Sequence, residues 1–399
     1  MPITAERLDP ETEILTINMG PQHPATHGVL RMVLKLDGET IVDCVPHVGY
    51  LHRGMAKIAE HKTYHQFIPY TDRMDYISPL AQNISYTMAV EKLMGITDQI
   101  PRRAQYLRTV CCELARISSH YLWLGCHALD LGAMTVFLYT FQEREYLYDI
   151  IENICGARFT TSYSRIGGLA RDFSPQVIQE ISQFLPRVNQ VLDEVEGLLT
   201  HNRIWMERNQ GVGVISTKEA VNLSLSGPNL RASGVRWDIR KARPYNCYDE
   251  FDFDVPVGTK GDSYDRYLLR LEEMRQSARI IAQAIDGLPE GDIGVDDHKI
   301  FLPRKKRVLT KMEELIHLFM VITDGIKPTG ECYFSIENPK GEHGFYLVGD
   351  GEVQPYRLHV RSPSFANIQT LPHLVRGRMI ADAVACIAGL DPVMGDCDR

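Results

Sequence analysis

Gly20-Pro21-Gln22-His23-Pro24-Ala25-Thr26-His27-Gly28 packs two histidines, two prolines and two glycines into nine residues. Proline fixes its own φ and restricts the residue before it, so the backbone around His23 has little freedom. Such a loop can hold an imidazole at a fixed point, and it can equally be a plain turn between two strands. The spacing of His23 and His27 would put two metal ligands on one face of a helix. Pro24 stands between them and the flanks read as strand and turn, so a fixed hydrogen-bond donor at His27 is the better reading. What it faces is open. Asp130 is one candidate, set among Leu129, Leu131 and Met134. A carboxylate in apolar company must be paired or take up a proton. Beside His27 it would fix the imidazole tautomer and favour the charged ring. Alone, it is an ordinary helix-end carboxylate facing water.

Other chemistry-bearing residues are less directive. Arg73-Met74-Asp75-Tyr76 could be a solvated loop, or Tyr76 a core tyrosine with its hydroxyl satisfied. Lys305-Lys306-Arg307, after Pro303-Arg304, is a basic run that reads as a solvated face or a contact for anionic lipid. The tail Gly389-Leu390-Asp391-Pro392-Val393-Met394-Gly395-Asp396-Cys397-Asp398-Arg399 reads as an acidic turn after a helix cap.

The elements that must position these groups follow from periodicity. Leu30, Met32, Leu34 and Leu36 alternate with Arg31, Val33 and Lys35, and Asp37-Gly38 supplies a hairpin turn before Ile41-Val45. From about residue 80 the period becomes helical. Pro101 suits a first helical turn, and Leu107, Val110, Leu114, Ile117, Tyr121 and Leu124 recur at spacings of three and four up to Asp130. Further helices are expected at 135–155, at 175–205 with an apolar face from Val177 to Val195, and at 264–286. Together they suggest an antiparallel bundle. The segment 211–262 is rich in Gly and Pro and reads as loops. Strands return over 331–361, with turns at Asn338-Pro339-Lys340-Gly341 and Gly349-Asp350-Gly351. A last helix is expected over 372–388, stopping at Gly389. The fold class is α+β, a long-helix bundle with β extensions. Its expected parts are a β-rich 1–79, a helical 80–210, and an α/β portion 211–399 whose helices join the core and whose tail returns to the site.

Composition narrows the function. The 399 residues carry 44% hydrophobic and 24% charged side chains, ordinary for a globular protein with a large core. A net charge of −8 opposes a nucleic-acid surface. No apolar run reaches the length of a membrane span, and Met1-Pro2-Ile3-Thr4-Ala5-Glu6 has the character of neither a signal nor a transit peptide. Nine scattered cysteines without C-x-x-C spacing fit reduced thiols and give no metal site of their own. The Rossmann fingerprint is absent, so no NADH site is expected on this chain.

Five segments in order resemble one family: Met19 to Gly28, Gly49-Tyr50-Leu51-His52-Arg53-Gly54, Arg73-Met74-Asp75-Tyr76, His127 to Met134, and Asp391-Pro392-Val393. They are similar to the D-subunit family of the proton-pumping NADH:quinone oxidoreductase, respiratory complex I, over residues 13–399. That family in turn resembles the large subunit of nickel–iron hydrogenases, which is the alternative reading. A hydrogenase of that kind needs two pairs of thiolates for its soft metals. Here Asp75 and Ser78 take the positions of one pair, Val393 and Asp396 those of the other, and Arg399 replaces the final histidine. Cys397 is one position off. Without the thiolates the hydrogenase reading is disfavoured.

The resemblance implies that the emptied metal cavity binds a quinone headgroup as substrate. It makes His27 and Tyr76 the headgroup ligands and Asp130 the acid that pairs with the histidine. Donors aimed at the two quinone oxygens stabilise the charge that develops as electrons arrive. Arg53 and Arg73 match positions near a terminal [4Fe–4S] cluster held by an adjacent subunit. No cofactor is bound by this chain alone. Where many family members carry a histidine against that cluster, this chain has Thr160, which implies a cluster potential that barely responds to pH, low enough to suit menaquinone. The implied partners are the other peripheral-arm subunits and a membrane-arm subunit that completes the quinone site. The implied enzyme is a proton translocase on the cytoplasmic face of a bacterial plasma membrane.

Overall fold

Alternation in the N-terminal strands sets which face is buried. Met32, Leu34 and Leu36 of Arg31–Asp37 are all in the core while their neighbours lie outward. A four-stranded antiparallel sheet results, ordered Thr4–Asp9, Thr12–Met19, Arg31–Asp37, Thr40–His47. The structure, a computed structural model, describes the backbone of residues 4–9, 12–303 and 305–399, and side chains from residue 14 onward except at 304. Met1, Pro2 and Ile3 of the N-terminal segment, and Arg304 beside the basic run, lie outside the described residues.

The bundle is built from Pro79–Leu93, Arg102–Asp130, Met134–Cys155, Pro175–Leu199 and Ser263–Asp286. Leu107, Val110, Leu114, Ile117, Tyr121 and Leu124 are fully buried, as their spacing predicts. Several expectations need correction. The helix expected over 175–205 stops at Leu199, and a second one begins at Arg203. Asn202 causes the restart, because its side-chain oxygen accepts from the amides of Ile204 (2.9 Å) and Trp205 (3.2 Å).

The second correction is the segment 211–262, which is not merely loop. It holds Thr217–Asn222, Gly227–Ala232 and Ile239–Ala242, the first opened by a capping box between Ser216 and Glu219 and the third by the Asp238 side chain. These short turns insert Arg231 and Arg240 into the bundle. There Arg231 pairs with Glu273 (2.6 Å) and Glu337 (2.7 Å), and Arg240 pairs with Asp238 (2.7 Å) and Glu113 (3.2 Å). Buried ions persist only when paired in this way. Despite burial, the two guanidiniums of Arg116 and Arg240 hold the Glu113 carboxyl down to about 2.

Thr329–Asn338, Gly341–Asp350 and Arg357–Arg361 form an antiparallel sheet, with the first turn where the sequence places it. The last helix is two helices, Leu371–Val375 and Ile380–Leu390. The break falls at Gly377, whose φ of +74° suits glycine. Gly389 does not end the second one. A Cβ there would sit 2.8 Å from Ser263 Oγ, so the glycine permits close helix packing. The terminal carbonyls are satisfied from the bundle: Trp123 donates to Ala388 O (2.6 Å), Arg270 to Gly389 O (3.0 Å) and Asn229 to Leu390 O (3.1 Å). This anchors the start of the C-terminal tail inside the core. Among the described residues, no helix is long and apolar enough to cross a membrane.

Candidate active site

The loop between the second and third strands is a short 3-10 turn, Pro24–Thr26. His23 caps it, its Nδ1 accepting from the Ala25 amide at 3.2 Å, while buried Thr26 donates its hydroxyl to His23 O at 2.7 Å. His27 follows in the left-handed region at φ +49°. A non-glycine residue there carries strain, which the surrounding turn must hold. Gly20 permits the entry: a Cβ on it would lie 2.0 Å from Leu30 O. His23 therefore shapes the loop, and His27 is what the loop presents.

His27 Nε2 lies 2.8 Å from Asp130 Oδ2, with both side chains nearly buried at 11% and 13% exposure. Asp130 is the final residue of the helix Arg102–Asp130, so the bundle fixes the carboxylate and the sheet fixes the imidazole. Tyr76 joins them. A Cβ built on Gly28 would lie 3.9 Å from Tyr76 Oη and 3.1 Å from Met394 Cγ, so the tyrosine hydroxyl and the C-terminal tail both abut the residue after His27. Burial, with Asp75 adding to it, raises the Tyr76 phenol above its usual value, against the opposing charge of Arg53. The phenol is thus a neutral donor at working pH.

The tail seats the tyrosine. A Cβ on Gly395 would fall 2.5 Å from Met74 O and 2.9 Å from the Tyr76 ring. Asp398 accepts from the amides of Gly49 (2.8 Å) and Leu51 (2.7 Å), tying the segment that carries Arg53 to the same tail. Arg53 donates to Arg73 O, and Arg73 donates to Pro69 O at 2.6 Å. Both arginines are exposed, as is Thr160. Thr160 precedes Ser162, whose amide (3.0 Å) and hydroxyl (2.7 Å) donate to Asp72, next to Arg73.

The two carboxylates at positions compared with metal thiolates are held by hydrogen bonds from hydroxyl and amide groups. Asp75 accepts from Ser78 Oγ (2.6 Å) and Asn338 Nδ2 (2.9 Å). Asp396 accepts from Ser362 Oγ (2.7 Å) and the Ser364 amide (3.1 Å), with His343 Nε2 at 3.6 Å. Burial pushes both carboxyls up and His343 down to about 3. Cys397 is buried and its thiol is pushed up by the same cause. Carboxylate, hydroxyl and Val393 are a poor donor set for nickel or low-valent iron.

Sequence reading misses Lys340 and His343. Lys340 is fully buried, ion-paired with Asp391 and donating to Ser119 Oγ at 2.8 Å. Its only sequence signal is the turn Asn338-Pro339-Lys340-Gly341, which marks a reversal but not its insertion into the core.

The chain is a mixed helix-and-sheet protein, a helix bundle flanked by antiparallel sheets, that presents an imidazole–carboxylate pair and a half-buried phenol beside its own C-terminus. Residues 130–399 match the family described as respiratory-chain NADH dehydrogenase, 49 Kd subunit. The chain is 55% identical over 391 residues to the D subunit of the NADH-quinone oxidoreductase of Methylacidiphilum infernorum (isolate V4), covering 98% of this chain and 93% of that one. It is 51% identical to the D subunit of the Geotalea uraniireducens (strain Rf4) enzyme, covering 97% and 99%. It is 53% identical to the first of the D subunits of Chloroherpeton thalassium (strain ATCC 35110 / GB-78), covering 100% and 90%. The chain belongs to this family.

Proposed function

We propose that this chain supplies the quinone-headgroup site of a proton-translocating NADH:quinone oxidoreductase, with His27 and Tyr76 as donors to the two carbonyl oxygens and Asp130 as the partner of His27. The carrying observation is that three residues distant in sequence converge: His27 on Asp130 at 2.8 Å, and Tyr76 Oη beside Gly28.

The pairing assigns the imidazole atoms. Nε2 faces the carboxylate, so it carries a proton whenever Asp130 is ionised. In the neutral ring Nδ1 is then an acceptor, and only the imidazolium donates through Nδ1. His27 therefore gives its proton at Nδ1 while Nε2–H stays on Asp130. Tyr76 donates a hydrogen bond at the second oxygen and yields its proton only to a strongly basic oxygen. Once His27 is neutral, Asp130 has lost its cationic partner.

Electrons come from a neighbouring subunit, and a [4Fe–4S] cluster there would supply them. Arg53 and Arg73 are exposed, as contact with a neighbouring subunit requires, and guanidinium charge beside such a cluster would favour its reduced state. Thr160 is exposed and its hydroxyl cannot titrate near neutrality, which supports a cluster potential that is flat between pH 6 and 9. A membrane-arm subunit completes the site, and the chain sits peripherally on the cytoplasmic face.

The test is quinone reduction by the assembled complex. Tyr76→Phe removes one donor and should lower turnover by about 10²-fold, in the range for a lost oxyanion donor. His27→Ala should do the same or worse. Normal turnover in both variants would reduce the chain to a scaffold.

A further inference from the structure

Among the described residues, one group of three potential metal ligands has its ligand atoms within 4.8 Å of one another: His298, Glu314 and His317. It lies away from the quinone site, and nothing in the proposed reaction uses it. Glu314 and His317 are three apart on the helix Met312–Thr323, so both project from one face. His298 approaches from the preceding loop. Its ring stacks on that of His317, with centroids 4.2 Å apart and planes inclined at 18°.

Two further observations point to a ligand. His317 Nδ1 is buried without a hydrogen-bond partner, a state that costs free energy unless something binds the nitrogen. A cavity of about 280 Å³ opens beside the group, lined by Asp296, Asp297, His298 and Glu314 among others. Acidic walls draw in cations.

We propose that His298, Glu314 and His317 bind one divalent transition-metal ion of the zinc type, its remaining position open to this cavity. Two imidazoles and one carboxylate suit zinc and its neighbours better than magnesium or calcium, which take oxygen. Ligand atoms around tetrahedral zinc lie about 3.3 Å apart, given bonds of about 2.0–2.1 Å. The group must therefore contract, and His298 does this by rotating its exposed side chain. Arg307 Nη1 stands 3.7 Å from Glu314 Oε1 and competes with the metal for that carboxylate. Binding would clamp the loop that carries His298 to the helix Met312–Thr323.

The test uses the untagged full-length chain, stripped with chelator and titrated with Co²⁺. Visible d–d absorption should saturate at one equivalent, and Zn²⁺ should abolish it. His298→Ala should weaken binding by at least about tenfold, the loss of one metal bond. Because His298 is an exposed loop residue, that variant should keep the wild-type circular dichroism even if His317→Ala does not. Arg307→Ala should tighten binding by about three- to tenfold, because it removes a competing charge. No saturable absorption, a sulfur charge-transfer band, or cobalt binding unchanged in His298→Ala would each overturn the proposal.

Discussion

Asp130 ends a 29-residue helix and receives, at 2.8 Å, the imidazole of His27 from a loop 103 residues away. The imidazole depends on a strained left-handed backbone and the carboxylate on the bundle, so a change in either part alters their meeting. The pair is a junction between sheet and bundle at the point where the C-terminal tail also arrives.

Asp130→Asn keeps the shape of this contact and removes its charge. The amide no longer places a negative charge against Nε2 of His27. Quinone reduction should fall by about 10²-fold, the usual worth of a placed proton donor. Steady-state turnover of the assembled complex with quinone measures the effect.

Gly395→Ala tests the seat of Tyr76. The new methyl would meet Met74 O at 2.5 Å and the tyrosine ring at 2.9 Å. Overpacking of this kind costs about 1–3 kcal/mol. The melting temperature should drop and the KM for quinone should rise, because the phenol is displaced from its seat. An unchanged KM would mean that the tail does not position Tyr76.

Lys340 and Asp391 form a buried ion pair. Lys340→Met leaves the carboxylate unpaired and should cost about 3–5 kcal/mol. Adding Asp391→Asn should restore much of the loss, since asparagine tolerates the left-handed backbone at position 391. Chemical denaturation of the two single variants and the double variant closes this cycle.

Asp72 sets a pH dependence of stability. Burial raises its carboxyl from 3.8 to about 6, against the hydrogen bonds from Ser162 and the charge of Arg73. A raised folded value means that the native state keeps its proton while the unfolded chain loses it. Stability from this group is full below 3.8 and is lost as pH rises through 6. The loss is about 3 kcal/mol, at 1.36 kcal/mol for each unit of difference. Asp72→Asn should therefore match the wild type near pH 3.5 and exceed it by about that amount at pH 7.5. Denaturation at the two pH values decides the matter, and an equal gap at both would contradict the linkage.

The long elements are legible in the sequence because apolar spacing persists over many turns, as from Leu107 to Leu124. The short helices of 211–262 run four to six residues, less than two turns, and Gly227-Pro228, which opens one of them, reads as a turn. Gly389 misleads for a related reason: glycine marks close packing as well as helix ends, and only the position of Ser263 separates the two. Residues alone leave His27 and Asp130 conditional on each other, since nothing local states a contact across 103 positions. Lys340 is illegible because a turn signal carries no information on burial.

His27 and Tyr76 should grip the two ends of one quinone headgroup. A structure of the assembled complex with quinone bound measures this directly. His27 Nδ1 and Tyr76 Oη should each lie within about 3.2 Å of a different carbonyl oxygen, the reach of a hydrogen bond. A headgroup fully occupied elsewhere, with neither atom in reach, would contradict it.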